Sequence, residues 1–265
     1  MTRVRPPAVA GLFYPDDLRE LAATVDGLLA GAGPASDAVA PPVAIVAPHA
    51  GYVYSGPVAA SAYAPLAPWR EHVSRVYLIG PAHRVAIRGL ALSSADAFAT
   101  PLGDVAVDRE AVDALLAHPV ATIDDRAHAP EHCLEVQLPF LQRTLGDGWT
   151  LVPMLAAGLE PGALADVMSA GWGDPGVLWV VSTDLSHDHD LATARQLDRA
   201  TAAAIVDRAW ERIERDDACG AVPLRGALEL ARRRRERVEQ LDLRTSGDTA
   251  GDHRRVVGYG SFAIR

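Results

Sequence analysis

Neither lysine nor asparagine occurs anywhere in this 265-residue sequence, whose 25 basic residues, set against 34 acidic ones, are all arginine. A coding bias accounts for both absences, yet they restrict the chemistry. A Schiff-base lysine, the phosphate-gripping lysine of a P-loop and an asparagine-linked glycan are excluded. Cys133 and Cys219 are the only cysteines, too few for a disulfide framework and typical of a reducing compartment. The opening MTRVRPPAVAGLFYP holds no sustained apolar segment, and no later run approaches the length of a membrane span, so a cytoplasmic protein with no membrane partner is expected. The formal charge of -9 offers no general attraction to a polyanion, and nucleic acid is not expected as a partner. Also missing are CxxC, HExxH, GxGxxG, a Walker-type loop and a GxSxG elbow, which removes the usual support for redox-dithiol, zincin, dinucleotide, nucleotide and serine-hydrolase readings.

What is present reads as one α/β domain over residues 1–265, with a mixed central sheet covered by helices on both faces. Asp17 and Glu20 predict a reciprocal cap for an amphipathic helix ending in AGAGPASD. PPVAIVAP gives a buried strand from Val43 to Ala47, and Ser55, Gly56 and Pro57 open a helix through VAASAY. Residues 75 to 80 form a strand stopped by Gly80 and Pro81, and GLALSS forms another. Asp108 caps REAVDALLAH. Pro130 begins a helix through EHCLEVQLPFLQRTL that Pro139 kinks. WTLVPML and GVLWVVS are strands on either side of the helix EPGALADVMSA. QLDRATAAAIVDRAWERIER is a long helix, Pro223 starts the next, and VEQLDLRT and RVVGYGSFAIR are strands joined by a polar turn. The arginine block 232–237 is expected to be a solvated helix end.

Polar groups gather where strands end, the edge at which ligands collect in open α/β sheets. His49 follows Pro48 just past one strand, and His83 in GPAH follows another. Two imidazoles in glycine-containing loops suit a metal that needs rigid ligands and one open face, although each taken alone is an ordinary structural histidine. In HAPEHCLEVQ, His132 and Glu135 share a helical face. Either they line the N-terminal turn, or His132 moves a proton or supports a ligand while Glu135 fixes its tautomer. Cys133 points elsewhere and is read as a small buried hydrophobe. STDLSHDHD follows the most apolar strand. Asp184 is placed to orient a histidine or a substrate, and His187 to move a proton, with Asp188 and His189 as solvent-facing neighbours. Cys219 precedes a helix N-terminus, which would stabilise its thiolate for metal binding or nucleophilic attack.

The ordered set PHAGYVYSG, GPAH, EHCLEVQLPFL, STDLSH and CG, running from AVAGLFYP to GYGSFAI, resembles the Memo-like family, whose prokaryotic members are called AmmeMemoRadiSam system protein B. The resemblance implies a fold similar to LigB-type subunits of extradiol dioxygenases, which use non-haem iron(II). It implies a metal held by His49, His83 and Cys219, with His187 and Asp184 lining the same pocket and His132 as the histidine of the EHxxExQLP motif. The position after the GPxH histidine, often a second histidine, is Arg84 here. A cysteine in place of a carboxylate softens the site toward copper or zinc as well as iron.

These readings converge on a metal-dependent redox protein of dioxygenase-like descent, in which iron(II) leads and copper or zinc are the alternatives. His132, His187 and Asp184 are its candidate catalytic residues. Two other classes stay open: a non-enzymatic metal-binding or interaction component serving a radical-SAM partner, with an AMMECR-like protein as a further associate, and a zinc-dependent hydrolase. The small-molecule substrate is not specified by the sequence.

Overall fold

The apolar runs AIVA, VLWVVS, RVYLIG and TLVPMLAA lie side by side at the centre of a mixed sheet, buried almost throughout. Such continuous rather than alternating hydrophobicity is what a strand covered on both faces requires. The computed structural model describes residues 2–32, 40–249 and 251–265. The chain runs through β1 (Val4–Arg5), α1 (Leu18–Gly31), β2 (Ala44–Ala47), α2 (Tyr52–Tyr63), β3 (Arg75–Gly80), β4 (Gly89–Leu92), β5 (Ala97–Thr100) and β6 (Gly103–Ala106). It continues through α3 (Arg109–Leu115), β7 (Ala121–Ile123), α4 (Asp125–His128), α5 (Leu138–Leu145), β8 (Thr150–Ala157), α6 (Pro161–Met168), β9 (Val177–Ser182) and β10 (His187–His189). The last elements are α7 (Leu191–Val206), α8 (Ala221–Arg234), β11 (Val238–Thr245), α9 (Ser246–Thr249) and β12 (Val256–Ile264).

The main sheet has the order β10-β12-β2-β9-β3-β8-β4-β7, with β11 paired to β12. Its centre, β2-β9-β3-β8, is parallel, and β12 and β4 join antiparallel on either side. Helix α2 packs on β2 and β12, and α8 on β8 and β9. Strands β1, β5 and β6 form a small separate sheet that the sequence pattern did not announce. No described helix is long and apolar enough to cross a membrane.

Several boundaries differ from the expected ones. Asp17 caps α1 by accepting from the N–H groups of Arg19 and Glu20, both at 2.9 Å, without a return bond from the Glu20 side chain among the described contacts. The far end of the AGAGPASD stretch lies outside the described residues. Helix α2 starts at Tyr52, whose N–H donates to Phe13 O at 2.8 Å, so Pro57 sits inside it rather than opening it. The helix expected from Pro130 is absent until a 3-10 turn at Glu135–Gln137, and α5 starts at Leu138 with Pro139 in its first turn, where a missing N–H costs nothing. Asp190 caps α7 earlier than expected, and the helix stops at Val206, before Arg208 turns to φ 56°. In the arginine block, Arg232 pairs with Glu211 and Glu229, and Arg233 with Asp166 and Glu229, on the exposed last turn of α8.

Candidate metal centre

Because β2, β9 and β3 are parallel neighbours, their carboxyl ends finish at one edge, and three loops distant in sequence meet there. His49 follows β2, Asp184 follows β9 and His83 follows β3. A fourth segment, residues 129–134 between α4 and the 3-10 turn, closes over them. It is fixed by Cys133, whose thiol donates to Pro81 O at 3.1 Å and whose carbonyl accepts from Ser182 Oγ at 2.7 Å. The close approach needs Gly80: a Cβ there would stand 2.6 Å from Cys133 Sγ. Gln137 ties the same loop down, its amide donating to Pro48 O at 2.9 Å and Ser182 Oγ at 2.8 Å while Tyr63 donates to its carbonyl at 2.7 Å.

The side chains so assembled form a histidine cluster. Ring nitrogens of His49, His83 and His132 all lie within 4.8 Å of one another. His49 is buried, its Nδ1 2.9 Å from Ser182 Oγ and its Nε2 3.2 Å from Cys219 Sγ. His83 remains 28% exposed at its side chain, which leaves the cluster open on one side. Its Nδ1 meets Glu131 Oε1 at 2.9 Å, a contact that directs Nε2 away from the carboxylate. His132 stacks on the His83 ring at 4.8 Å between centroids and packs against Phe13 at 4.9 Å. Its Nδ1 lies 3.2 Å from the same Glu131 oxygen but is not angled to bond with it, leaving a buried nitrogen without a partner.

Protonation follows from these surroundings. Burial, reinforced by the charges of His83 and His132, holds the His49 imidazole well below its ordinary range, so it is neutral and carries a lone pair. Burial works against ionisation of Glu131, but the closely approaching His132 imidazole, then the hydrogen bonds from the His83 ring and backbone N–H, prevail and keep its carboxyl far below the usual range. Cys219 departs from expectation: burial, then the nearby Asp184 carboxylate, push its thiol up to about 12, outweighing the Asp184 backbone N–H, the Thr183 hydroxyl and the Gly220 N–H at the start of α8. A neutral His49 beside a protonated Cys219 is the reverse of an activated thiolate-imidazolium pair, which disfavours nucleophilic catalysis. The donor set fits a cation instead. Two donors on one ion, at roughly 2.3 Å for sulfur and 2.0–2.1 Å for nitrogen, stand about 3.1–3.6 Å apart for bond angles between square and tetrahedral.

Of the residues singled out from sequence, His49, His83, His132, Asp184 and Cys219 come together at this edge, with two changes of partner. Glu135 does not touch His132, because the segment is not helical at His132. It accepts instead from Arg5, from the N–H groups of Ala8 and Val9 at 2.7 and 2.9 Å, and from Tyr14 Oη at 2.6 Å, anchoring the N-terminal segment. Asp184 is buried as expected, but its Oδ1 accepts from the His49 backbone N–H at 2.7 Å rather than from an imidazole. Burial raises its pKa despite that bond. His187 lies on the exposed edge strand β10, near enough for its charge to bear on His49 and Asp184. Cys219 meets His49 but is not among the three groups that share the mutual 4.8 Å spacing. Cys133 is fully buried. Sequence reasoning overlooked Glu131, Ser182, Phe13 and Arg5. The doublet Glu131-His132 was in view, and a non-helical reading of the segment would have favoured adjacent residues over the three-residue spacing.

A family model described as Memo-like protein matches residues 5–263. The chain belongs to the Memo-like family. Relatives in this family include a MEMO1 family protein of Aquifex aeolicus, 36% identical with 97% of each chain covered, and one of Thermotoga maritima, 37% identical over 96% of this chain and 97% of its own. A MEMO1 family protein of Methanopyrus kandleri is 36% identical over 98% of this chain and 99% of its own. The Memo-like assignment thus covers every loop that contributes to the centre.

Proposed function

We propose that this Memo-like protein is a metal-dependent redox protein in which His49, His83 and Cys219 hold iron(II) or copper. The observation that carries this reading is the 3.2 Å contact between Cys219 Sγ and His49 Nε2 at the edge of a three-histidine cluster. An ion of this kind supplies one-electron chemistry and a coordination position that oxygen or substrate can exchange into. The dioxygenase-like descent implied by the motifs belongs to the same reading, as does work alongside radical-SAM and AMMECR-like proteins.

The chain's own groups divide the remaining tasks. Ser182 and Glu131 hold His49 and His83 by Nδ1 and so present their Nε2 atoms. Asp184 fixes the His49 backbone. His132 Nδ1, buried and unpartnered beside the Glu131 carboxylate, takes or gives a proton within the pocket, and the exposed His187 exchanges protons with solvent.

The mutual spacing of His49, His83 and His132 supports a second ligand set in which His132 replaces Cys219. Elemental analysis of untagged protein purified without oxygen separates the two. Loss of metal in His49→Ala, His83→Ala and Cys219→Ala, with metal retained but turnover lost in His132→Ala, supports the first set. Metal lost from His132→Ala and kept in Cys219→Ala supports the second. Wild-type protein that neither carries nor takes up iron, copper or zinc would sink the metal reading.

A further inference from the structure

Cys219 belongs to two places at once. Its Sγ meets His49, and it also lines a cavity of about 240 Å³ over the carboxyl ends of β3 and β8. Most of that lining is small and apolar, with Ala156 and Ala157 on one side and Val222 of α8 on another. Among the described residues that line it, the only charged side chains are Arg215 and Arg225, with no acid beside them. In a protein of net charge -9 that is an unusual place for two cations to be left together. Neither forms an ion pair among the described residues, and Arg225 Nε is buried without a hydrogen-bond partner. The Arg225 guanidinium is nonetheless held in position, 5.2 Å from the centroid of Trp210.

Two guanidinium groups without an acidic partner, one of them fixed by stacking, are suited to a planar anion, because the guanidinium fork matches a carboxylate in two parallel hydrogen bonds. The alanine and valine walls ask for an apolar body attached to that anion. The volume falls below the roughly 300–1,000 Å³ of pockets that take drug-sized ligands, so the occupant is small. We propose that this cavity binds a small organic carboxylic acid, its carboxylate between Arg215 and Arg225 and its apolar body against Ala156, Ala157 and Val222, and that this acid is the substrate presented beside Cys219. The second half of the proposal rests on the metal reading; the binding itself does not.

Calorimetric titration of the full chain with benzoate and, separately, inorganic phosphate tests it, in metal-free and metal-loaded preparations whose metal content is measured. The variants are Arg215→Met, Arg225→Met and Val222→Phe. Arg215 is exposed and Val222→Phe fills the cavity without removing a polar group, so the test stands even if Arg225→Met disturbs packing around Trp210. Benzoate should bind saturably to wild type, at least about tenfold more weakly to each arginine variant as a charge-assisted bond is lost, and not measurably to Val222→Phe. Arg215→Met should keep its metal. Absence of saturable benzoate binding, equal binding by the variants, or arginine-dependent binding of phosphate but not benzoate would overturn the proposal. Metal uptake without benzoate binding defeats the pocket alone; benzoate binding by a protein that takes up no metal defeats the metal reading and the substrate role, and leaves the acid site standing.

Discussion

Glu131 grips His83 twice, one carboxylate oxygen accepting its backbone N–H at 2.6 Å and the other its Nδ1 at 2.9 Å. The same carboxylate receives the N–H groups of His132 and Cys133 at 3.0 and 3.1 Å, so one side chain sets both the loop and the imidazole above it. Glu131→Gln keeps the size but loses the charge and one acceptor. Metal affinity should fall about 10–100-fold, the usual cost of losing a partner that orients a ligand histidine. Competition against a chromophoric chelator measures it, and unchanged affinity in a folded variant would show that Glu131 serves the loop alone.

Cys219, with its thiol pushed up to about 12, enters the metal-free protein protonated at neutral pH. A metal bound through sulfur must displace that proton, so uptake should acidify a weakly buffered solution and affinity should rise with pH. Wild type is expected to release about one proton more per metal than Cys219→Ala at the same pH. Equal release, followed with an indicator dye, would remove sulfur from the ligand set.

The central strands were legible because burial on both faces writes itself as uninterrupted apolar residues, and the loops holding His49, His83 and Asp184 followed from where those strands stop. The placement of His132 was not. Its segment contains helix-compatible residues, but the Glu131 carboxylate takes up the N–H groups of His132 and Cys133, and tertiary bonds from Cys133 and Gln137 to the ends of β2, β3 and β9 hold it as an irregular turn. Arg5 was equally hidden, since nothing local announces a partner 130 positions away. The Cys219 thiol was misjudged for a related reason: its nearness to a helix start is visible in sequence, but burial beside Asp184 is not.

Arg5 and Glu135 form an ion pair that is almost wholly buried, and Arg5 also donates to the carbonyls of His128 and Glu131. Arg5→Met leaves the carboxylate uncompensated and those carbonyls short of a donor. A loss of about 3–5 kcal/mol in unfolding free energy is expected, read from chemical denaturation. A loss below about 1 kcal/mol would mean that the N-terminal segment contributes little to the fold.

His128 is buried with Nε2 3.0 Å from Ala91 O, and burial lowers its pKa from 6.5 to about 4. The unfolded chain therefore binds a proton between those values that the folded chain refuses. Stability from this group is complete above pH 6.5 and declines as pH falls toward 4, by about 3 kcal/mol in all. His128→Gln, which keeps a donor for Ala91, should flatten that part of the stability profile relative to wild type; parallel profiles would show that His128 is not responsible.

The sheet order separates His49 from His83 by the whole of β9, while His132 and Cys219 arrive from loops still further along the chain. No short fragment contains the centre, and His49 cannot meet His83 before β2, β9 and β3 have paired. Folding must therefore close these long-range contacts unaided, which is slow for parallel strands. A metal ion can trap the finished protein but cannot template it, so added metal should retard unfolding while leaving the rate of refolding unchanged.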